Sequence, residues 1–308
     1  MKNIVVIGSS NTDMIIKTPR IPRPGETILG GVFSKVQGGK GANQAVAAAR
    51  SGGQVTFVAN VGLDSFGEQA INSYNEDGIE TKYIVRDMNE PSGVALIFVS
   101  ECSENSIAVA PGANSKLSAE HVQNARAAIE DSDIMLLQLE IPLHTVIESA
   151  HMAKKAGAKV ILNPAPARAL PDELLHDVAF LTPNETEAEL LTGIKVDGAM
   201  SAAQAADILM NKGVRNVIIT MGAKGVFLAN RAVSRMIPAF KVDPVDTTAA
   251  GDVFNGAFAV GISKGLDLVE AIRFGSAAAA ISVTKMGAQP SIPHLDEIER
   301  FISRNNTN

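Results

Sequence analysis

The strongest constraint in this sequence is its rhythm. Short β-branched apolar runs at residues 4–8, 55–61, 134–139, 160–162, 179–181 and 217–220 alternate with helical patterns. The helical patterns cover residues 41–52, 66–77, 118–130, 142–156, 185–192, 201–212 and 251–264. Such alternation predicts a mostly parallel sheet covered by helices on both faces. The unbroken run Ile134-Met135-Leu136-Leu137 suits a strand buried on both sides. The expected fold class is α/β, a doubly wound sheet within one large unit over residues 1–308. With 46 % apolar and 19 % charged residues, the chain has material for a large core and too little charge for disorder.

Two segments break the rhythm. Residues 13–36 hold Ile15-Ile16, then Pro19, Pro22 and Pro24-Gly25-Glu26, then Thr27-Ile28-Leu29. Residues 92–111 read as a hairpin, with strands 93–100 and 106–110 around a polar turn at 101–105. Together they predict a small β-sheet projecting from the edge of the main one, either edge decoration or a lid over a ligand.

Several function classes drop out early. A net charge of −6 argues against general nucleic-acid binding, which needs a basic face. The single cysteine, Cys102, excludes an intrachain disulfide and a Cys-rich zinc site. The five histidines show no paired metal spacing. No apolar run reaches the roughly eighteen residues of a membrane span. Residues 1–8 carry one charge and too short an apolar run for a signal peptide. A cytoplasmic protein is expected. After the first strand Gly8 leads into Ser9-Ser10-Asn11, not the G-x-G-x-x-G of a dinucleotide-binding dehydrogenase.

Two glycine motifs could carry chemistry. Gly38-Gly39-Lys40-Gly41-Ala42-Asn43 runs into the Ala-rich helix that begins Gln44-Ala45-Val46. It is not a phosphate-binding Walker loop, because Lys40 is followed by glycine. It is either a tight turn into a closely packed helix or a place where backbone approaches a ligand. Asp246-Thr247-Thr248-Ala249-Ala250-Gly251-Asp252 also runs into a helix. Asp252 in the first turn could be a plain capping or dipole residue. Alternatively, the N–H groups of Ala250, Gly251 and Asp252 hold an anion while the Asp252 carboxylate stands beside it as a base. Polar residues also follow several strands: Asn11 and Asp13, Glu140, and Asn184-Glu185-Thr186-Glu187. Carboxyl ends of parallel strands line the ligand crevice of such sheets.

These two motifs resemble the signatures of the ribokinase (PfkB-type) carbohydrate kinase family. The resemblance extends from Ile4 to about Pro293. It includes Asn163-Pro164-Ala165-Pro166-Ala167-Arg168, Thr182-Pro183-Asn184-Glu185-Thr186-Glu187 and Gly287-Ala288-Gln289-Pro290-Ser291. It implies ATP-dependent phosphorylation of D-ribose at O5. The matching sugar positions are Asn11, Thr12, Asp13, Gly39, Lys40, Gly41, Ala42, Asn43, Glu140 and Asp252. Asp252 matches the base, and Ala249, Ala250 and Gly251 the anion hole. Asn184, Glu187, Thr220, Met221, Gly222, Ala223, Lys224, Gly225 and Ser276 match the ATP site, with Glu187 organising Mg²⁺ through water. Ser276 departs from the larger adenine-contacting residue many members carry. Asp246, Thr248, Ser282, Lys285, Gly287 and Ser291 match positions that ligate K⁺. The β-lid would also pair two copies as a homodimer. Other readings are a kinase for deoxyribose, another pentose or a nucleoside, and a catalytically silent sugar-binding protein. Low aromatic content, 4 %, speaks against a nucleoside slot.

Overall fold

The structure, a computed structural model, describes residues 3–102 and 104–305. Its strands are Asn3–Ile7 (β1), Asn11–Thr18 (β2), Val32–Gly38 (β3), Gln54–Gly62 (β4), Ile84–Asp87 (β5), Gly93–Ser100 (β6) and Asn105–Ala110 (β7). They continue as Ser132–Leu137 (β8), Lys159–Leu162 (β9), Val178–Leu181 (β10), Asn216–Thr220 (β11), Val226–Ala229 (β12) and Ser234–Ile237 (β13). The helices are Lys40–Arg50 (α1), Ser65–Glu76 (α2), Ala119–Asn124 (α3), Arg126–Glu130 (α4), Leu143–Ala156 (α5) and Asp172–Asp177 (α6). After them come Glu185–Thr192 (α7), Ala199–Asn211 (α8), Ala250–Ser263 (α9), Leu268–Ser282 (α10) and Leu295–Asn305 (α11).

Nine strands form the main sheet in the order β13-β12-β11-β10-β9-β8-β1-β4-β5. All its pairs from β11 to β5 are parallel, and the β11-β12-β13 edge is antiparallel. Alternation along one strand feeds two cores. Ile4 and Val6 of β1 join the cluster under α1, α9 and α10, while Val5 and Ile7 join the cluster under α5 and α8. From β1 the chain winds to β4 and β5 on one side, then returns to β8 through β11 on the other. The switch point between β1 and β8 opens a crevice at the carboxyl ends of the strands.

A second sheet has the order β3-β2-β6-β7. The expected small sheet is there, with a shifted boundary: Asn11, Thr12 and Asp13 are not in a loop after β1 but are the first residues of β2. Asn11 pairs with Gly38 on one side and Gly93 on the other. Of the hairpin's polar turn, Ser103 lies outside the described residues, as do Met1 and Lys2. Residues 118–130 were expected as one helix and form two. The chain breaks at Ala125, whose N–H donates to Val122 O and whose apolar side chain is fully buried. Patterning missed β5, β12, β13, α6, α10 and α11. Among the described residues no helix is long and apolar enough to cross a membrane.

Candidate active site

The crevice begins where α1 and α9 meet. Gly256 lets them approach: a Cβ there would stand 2.6 Å from Ala47 Cβ and from the Gln44 carbonyl oxygen. Gly39, just before α1, has φ 87°, a conformation that only glycine adopts without strain. These two glycines are structural in the ordinary sense. Gly251 is different. Its helical backbone makes no special demand, and a Cβ there meets nothing within 4 Å. It leaves an open cradle at the start of α9, where the first N–H groups of a helix lack intrahelical acceptors. Ala249, just before it, is the one non-glycine residue among those described with positive φ, at 60°. Left-handed alanine costs of order 1–3 kcal/mol, and such strain collects at ligand clamps.

Asp252 is not used as a cap. It is 5 % exposed, and its carboxylate accepts from Gln44 Nε2 at 3.0 Å and from Asn43 Nδ2 at 3.1 Å. Burial pushes its pKa up, while Lys40, Gln44 and Asn43 pull it down, and burial prevails. Asp13 is raised to about 6 by burial first, then by Glu140 and Asp252. Lys40 is pushed up, chiefly by Asp252. Glu140 lies beyond the end of β8 and accepts from Ser9 Oγ at 2.5 Å and from the Lys40 N–H at 3.0 Å. Asn11 Oδ1 accepts from Asn114 Nδ2 at 2.8 Å. Asn43 Oδ1 is buried with no protein partner. Asn11, Asp13, Lys40, Asn43, Glu140 and Asp252 thus form one largely buried polar group. Thr12 is buried beside them, and Gly41 and Ala42 are packed into the start of α1, where Ala42 N–H donates to Ser9 O.

An open cleft of about 170 Å³ continues from Lys40 and Asp252 past Ala249, Ala250 and Gly251 to Asn184, Glu187 and Thr220. Asn184 and Glu187 form a capping box on α7: Asn184 Oδ1 accepts from Glu187 N at 2.8 Å, and Glu187 Oε2 from Asn184 N at 2.9 Å. Capping therefore fixes the Glu187 carboxylate at the cleft wall, and burial pushes its pKa up. Of residues 220–225 only Thr220 lines this cleft. Met221 is buried, Gly222 and Ala223 are exposed, Gly225 lets the chain turn, and Lys224 reaches Asp197 O at 3.0 Å. Ser276 lies on α10, outside the cleft lining.

A tie joins the loop before α9 to the segment after α10. Asp246 accepts from Thr248 N and Oγ1 at 2.9 and 2.6 Å, and from Gly287 N at 2.8 Å. Ser282 and Ser291 are buried nearby in sequence, whereas the Lys285 ammonium turns out to Glu297. No cluster of three or more His, Cys, Asp or Glu suited to a metal occurs among the described residues.

Sequence reasoning did not single out Asn114 and Gln138 at all. Ser9, Gln44, Asn163, Thr182 and Asn255 lay in or beside the quoted stretches without a role. Apart from Asn114, which sits in a short turn past β7, each is a polar residue at a strand end or on an apolar helix face.

Residues 1–295 match the model of the pfkB family of carbohydrate kinases. The chain belongs to this family. It is 50 % identical over 301 residues to the ribokinase of Haemophilus influenzae, covering 98 % of each chain. It is 41 % identical over 304 residues to the deoxyribokinase of Salmonella typhi, covering 98 % of this chain and 99 % of that one. The crystal structure of the Thermotoga maritima ribokinase superposes with a TM-score of 0.91 at 42 % identity, covering 98 % of this chain and 100 % of that chain. The Arabidopsis thaliana ribokinase, solved with ribose and ATP, gives 0.91 at 33 % identity, covering 98 % of each. As a carbohydrate kinase of this family, the chain has its fold in the nine-stranded sheet and the separate four-stranded sheet.

Proposed function

We propose that this chain transfers the terminal phosphoryl group of ATP to O5 of D-ribose, giving ribose 5-phosphate and ADP. The observation that carries this reading is the juxtaposition of a buried, uncapped carboxylate, Asp252, with the open cradle at Gly251. Asp252 takes the O5 proton as that oxygen bonds to phosphorus, and the bond to the ADP oxygen breaks. The first N–H groups of α9 accept the charge that spreads over the transferred group. The partnerless Asn43 Oδ1, with Asn11, Asp13, Lys40 and Glu140, supplies donors and acceptors for a polyhydroxylated ligand. ATP would lie along the cleft wall from Gly251 toward Asn184 and Thr220, with residues 221–225 and Ser276 toward its base.

Mg²⁺ keeps most of its waters and is held through few carboxylates, which fits the Glu187 carboxylate at the cleft wall; bound there, it would neutralise phosphate charge. K⁺ would take backbone and side-chain oxygens around Asp246, Thr248, Ser282, Lys285, Gly287 and Ser291, and would brace the Ala249–Gly251 turn through the Asp246–Gly287 tie. Residues 11–38 and 93–110 would close over the sugar as a lid. The face opposite Asp13 exposes Phe33 and Leu96, and a symmetric dimer would cover them. We place the reaction in the cytoplasm, where ATP is available.

A second reading, a deoxyribose kinase, is favoured by the deoxyribokinase relative at 41 % identity. The test is ADP release with D-ribose, the product identified by phosphorus NMR, repeated in K⁺, Na⁺ and Li⁺ salts. Ribose-dependent ADP with phosphate on O5 is expected, fastest in K⁺. No ribose-dependent turnover would reject the reading, and equal rates in all three salts would reject the K⁺ site. Sedimentation as a monomer at micromolar concentration would reject the dimer.

A further inference from the structure

A buried chain of amides runs behind the proposed base. Gln138 and Gln44 are both 0 % exposed. Gln138 Nε2 donates to Gln44 Oε1 at 2.7 Å. Gln44 Nε2 then divides its two hydrogens between Asp252 Oδ1 at 3.0 Å and Asn163 Oδ1 at 3.2 Å. Asn163 Nδ2 donates onward to Thr182 O at 3.2 Å, and Thr182 Oγ1 donates to Asn255 Oδ1 at 2.7 Å. Asn255 Nδ2 closes the path on Gly251 O at 2.8 Å. One connected network therefore reaches both the Asp252 carboxylate and the backbone of the cradle.

Its direction is set by chemistry. An ionised carboxylate only accepts, so Gln44 must turn its nitrogen toward Asp252 and its oxygen toward Gln138. Gln138 must then donate, which leaves its own Oε1 buried without a partner, pressed where a Cβ on Gly8 would come within 2.0 Å. An unpaired buried acceptor is costly, and native proteins keep few of them. The orphaned oxygen marks where the constraint falls: both amides are oriented for Asp252, at Gln138's expense.

We propose that Gln44, locked by Gln138, is a positioning residue that fixes the Asp252 carboxylate relative to the Gly251 cradle. This rests on Asp252 being the base. Gln44 sits on α1 one residue after Asn43, so the same helix turn that offers Asn43 to the sugar also aims the base. The charged groups facing Asp252 are Lys40 from α1, Glu140 from beyond β8, Asp13 from β2 and Glu187 from α7. Of these only Lys40 favours its ionised form. A neutral donor such as Gln44 is the other means of holding the charge, and it does so without adding a charge to the site.

The experiment compares wild type, Gln44→Met, Gln138→Met and Asp252→Asn by steady-state kinetics, by the pH profile of kcat/KM for ribose, and by melting temperature. Methionine keeps the volume of glutamine and removes the donor. For Gln44→Met we expect kcat lower by about tenfold or more, with the acid limb of the profile moved up by about one pH unit. KM for ribose should stay within about threefold, since ground-state contacts persist. Gln138→Met should move both in the same direction by less. A residue that only packed the core would lower the melting temperature and leave the pH midpoint in place. A folded Gln44→Met with wild-type kcat and midpoint overturns the proposal. Should Gln44→Met fail to fold, Gln138→Met decides by the same criterion. Wild-type turnover in Asp252→Asn would remove the base and this proposal with it. Loss in Asp252→Asn beside an unperturbed Gln44→Met would overturn the positioning role alone.

Discussion

The two ends of the crevice are built differently. The end holding Asn11, Asp13, Lys40, Asn43, Glu140 and Asp252 is largely buried and cross-braced by side chains from α1, β2 and the loops beyond β1 and β8. The other end, at Gly251 and Asn184, is exposed, and its order comes from local devices: a helix start and a capping box. The first arrangement stores unfavourable burial of charge in return for a shaped site. The second uses backbone groups that the fold supplies anyway. Substitutions at the buried end should therefore move both chemistry and stability, and those at the open end should separate them.

The largest effect is expected at Asp252. Asp252→Asn keeps its size and should fold, yet cannot take a proton. Removing a positioned base costs about 10²–10⁴-fold, so kcat should fall by at least about 100-fold while ribose affinity changes far less. Kinetics beside a ribose titration checks this. At the open end, Gly251→Ala sharpens the contrast. Its Cβ meets no protein atom, and alanine is the better helix former by up to about 1 kcal/mol, so melting temperature should hold or rise. Activity should drop by about tenfold or more, because the methyl enters the space an oxyanion needs. A fully active, more stable Gly251→Ala would break the comparison.

Asp13 tests the stored cost. Its folded pKa of about 6 lies above the ordinary carboxyl value of 3.8, so between these values the folded state binds more protons than the unfolded one. Stability from this group is fully present below about pH 4 and is lost as pH rises through about 6. Asp13→Asn should consequently stabilise the sugar-free protein by about 1–3 kcal/mol at pH 7.5 and by nearly nothing at pH 4, measured by denaturant melts. It should also weaken ribose binding. The smallest effect is expected at Lys224, whose ammonium is turned to Asp197 and lies about 4.0 Å from Glu185. Lys224→Ala should change KM for ATP by less than about threefold, in keeping with the small worth of exposed ion pairs.

How much of this was legible beforehand follows the same divide. The parallel sheet could be read because buried strands announce themselves as apolar runs, and α7 and α9 because small and acidic residues start them. The second sheet could be read as an interruption, but not its edges. Asn11 and Asp13 look like loop residues in a sequence, and only pairing with Gly38 and Gly93 makes them strand. The alanine-rich α10 was missed because it is buried on most of its surface and shows no polar stripe. Asp252 was left between cap and base because both readings place an acid in the first turn. The deciding fact is which atoms it accepts from, and these come from α1, some two hundred residues earlier. Gln44, on an apolar helix face, and Gln138, just past a strand end, stand out as polar residues, but what they do depends on partners far away in the chain.

The most direct test of a preformed, hydroxyl-binding sugar end is the ratio of kcat/KM for D-ribose over 2-deoxyribose, both in K⁺ and saturating ATP. A site built to bond a hydroxyl is left with unpaired polar groups when that hydroxyl is absent. Ribose should be favoured by at least about tenfold. A ratio of one, or a preference for 2-deoxyribose, would contradict it and move the chain toward its deoxyribokinase relative.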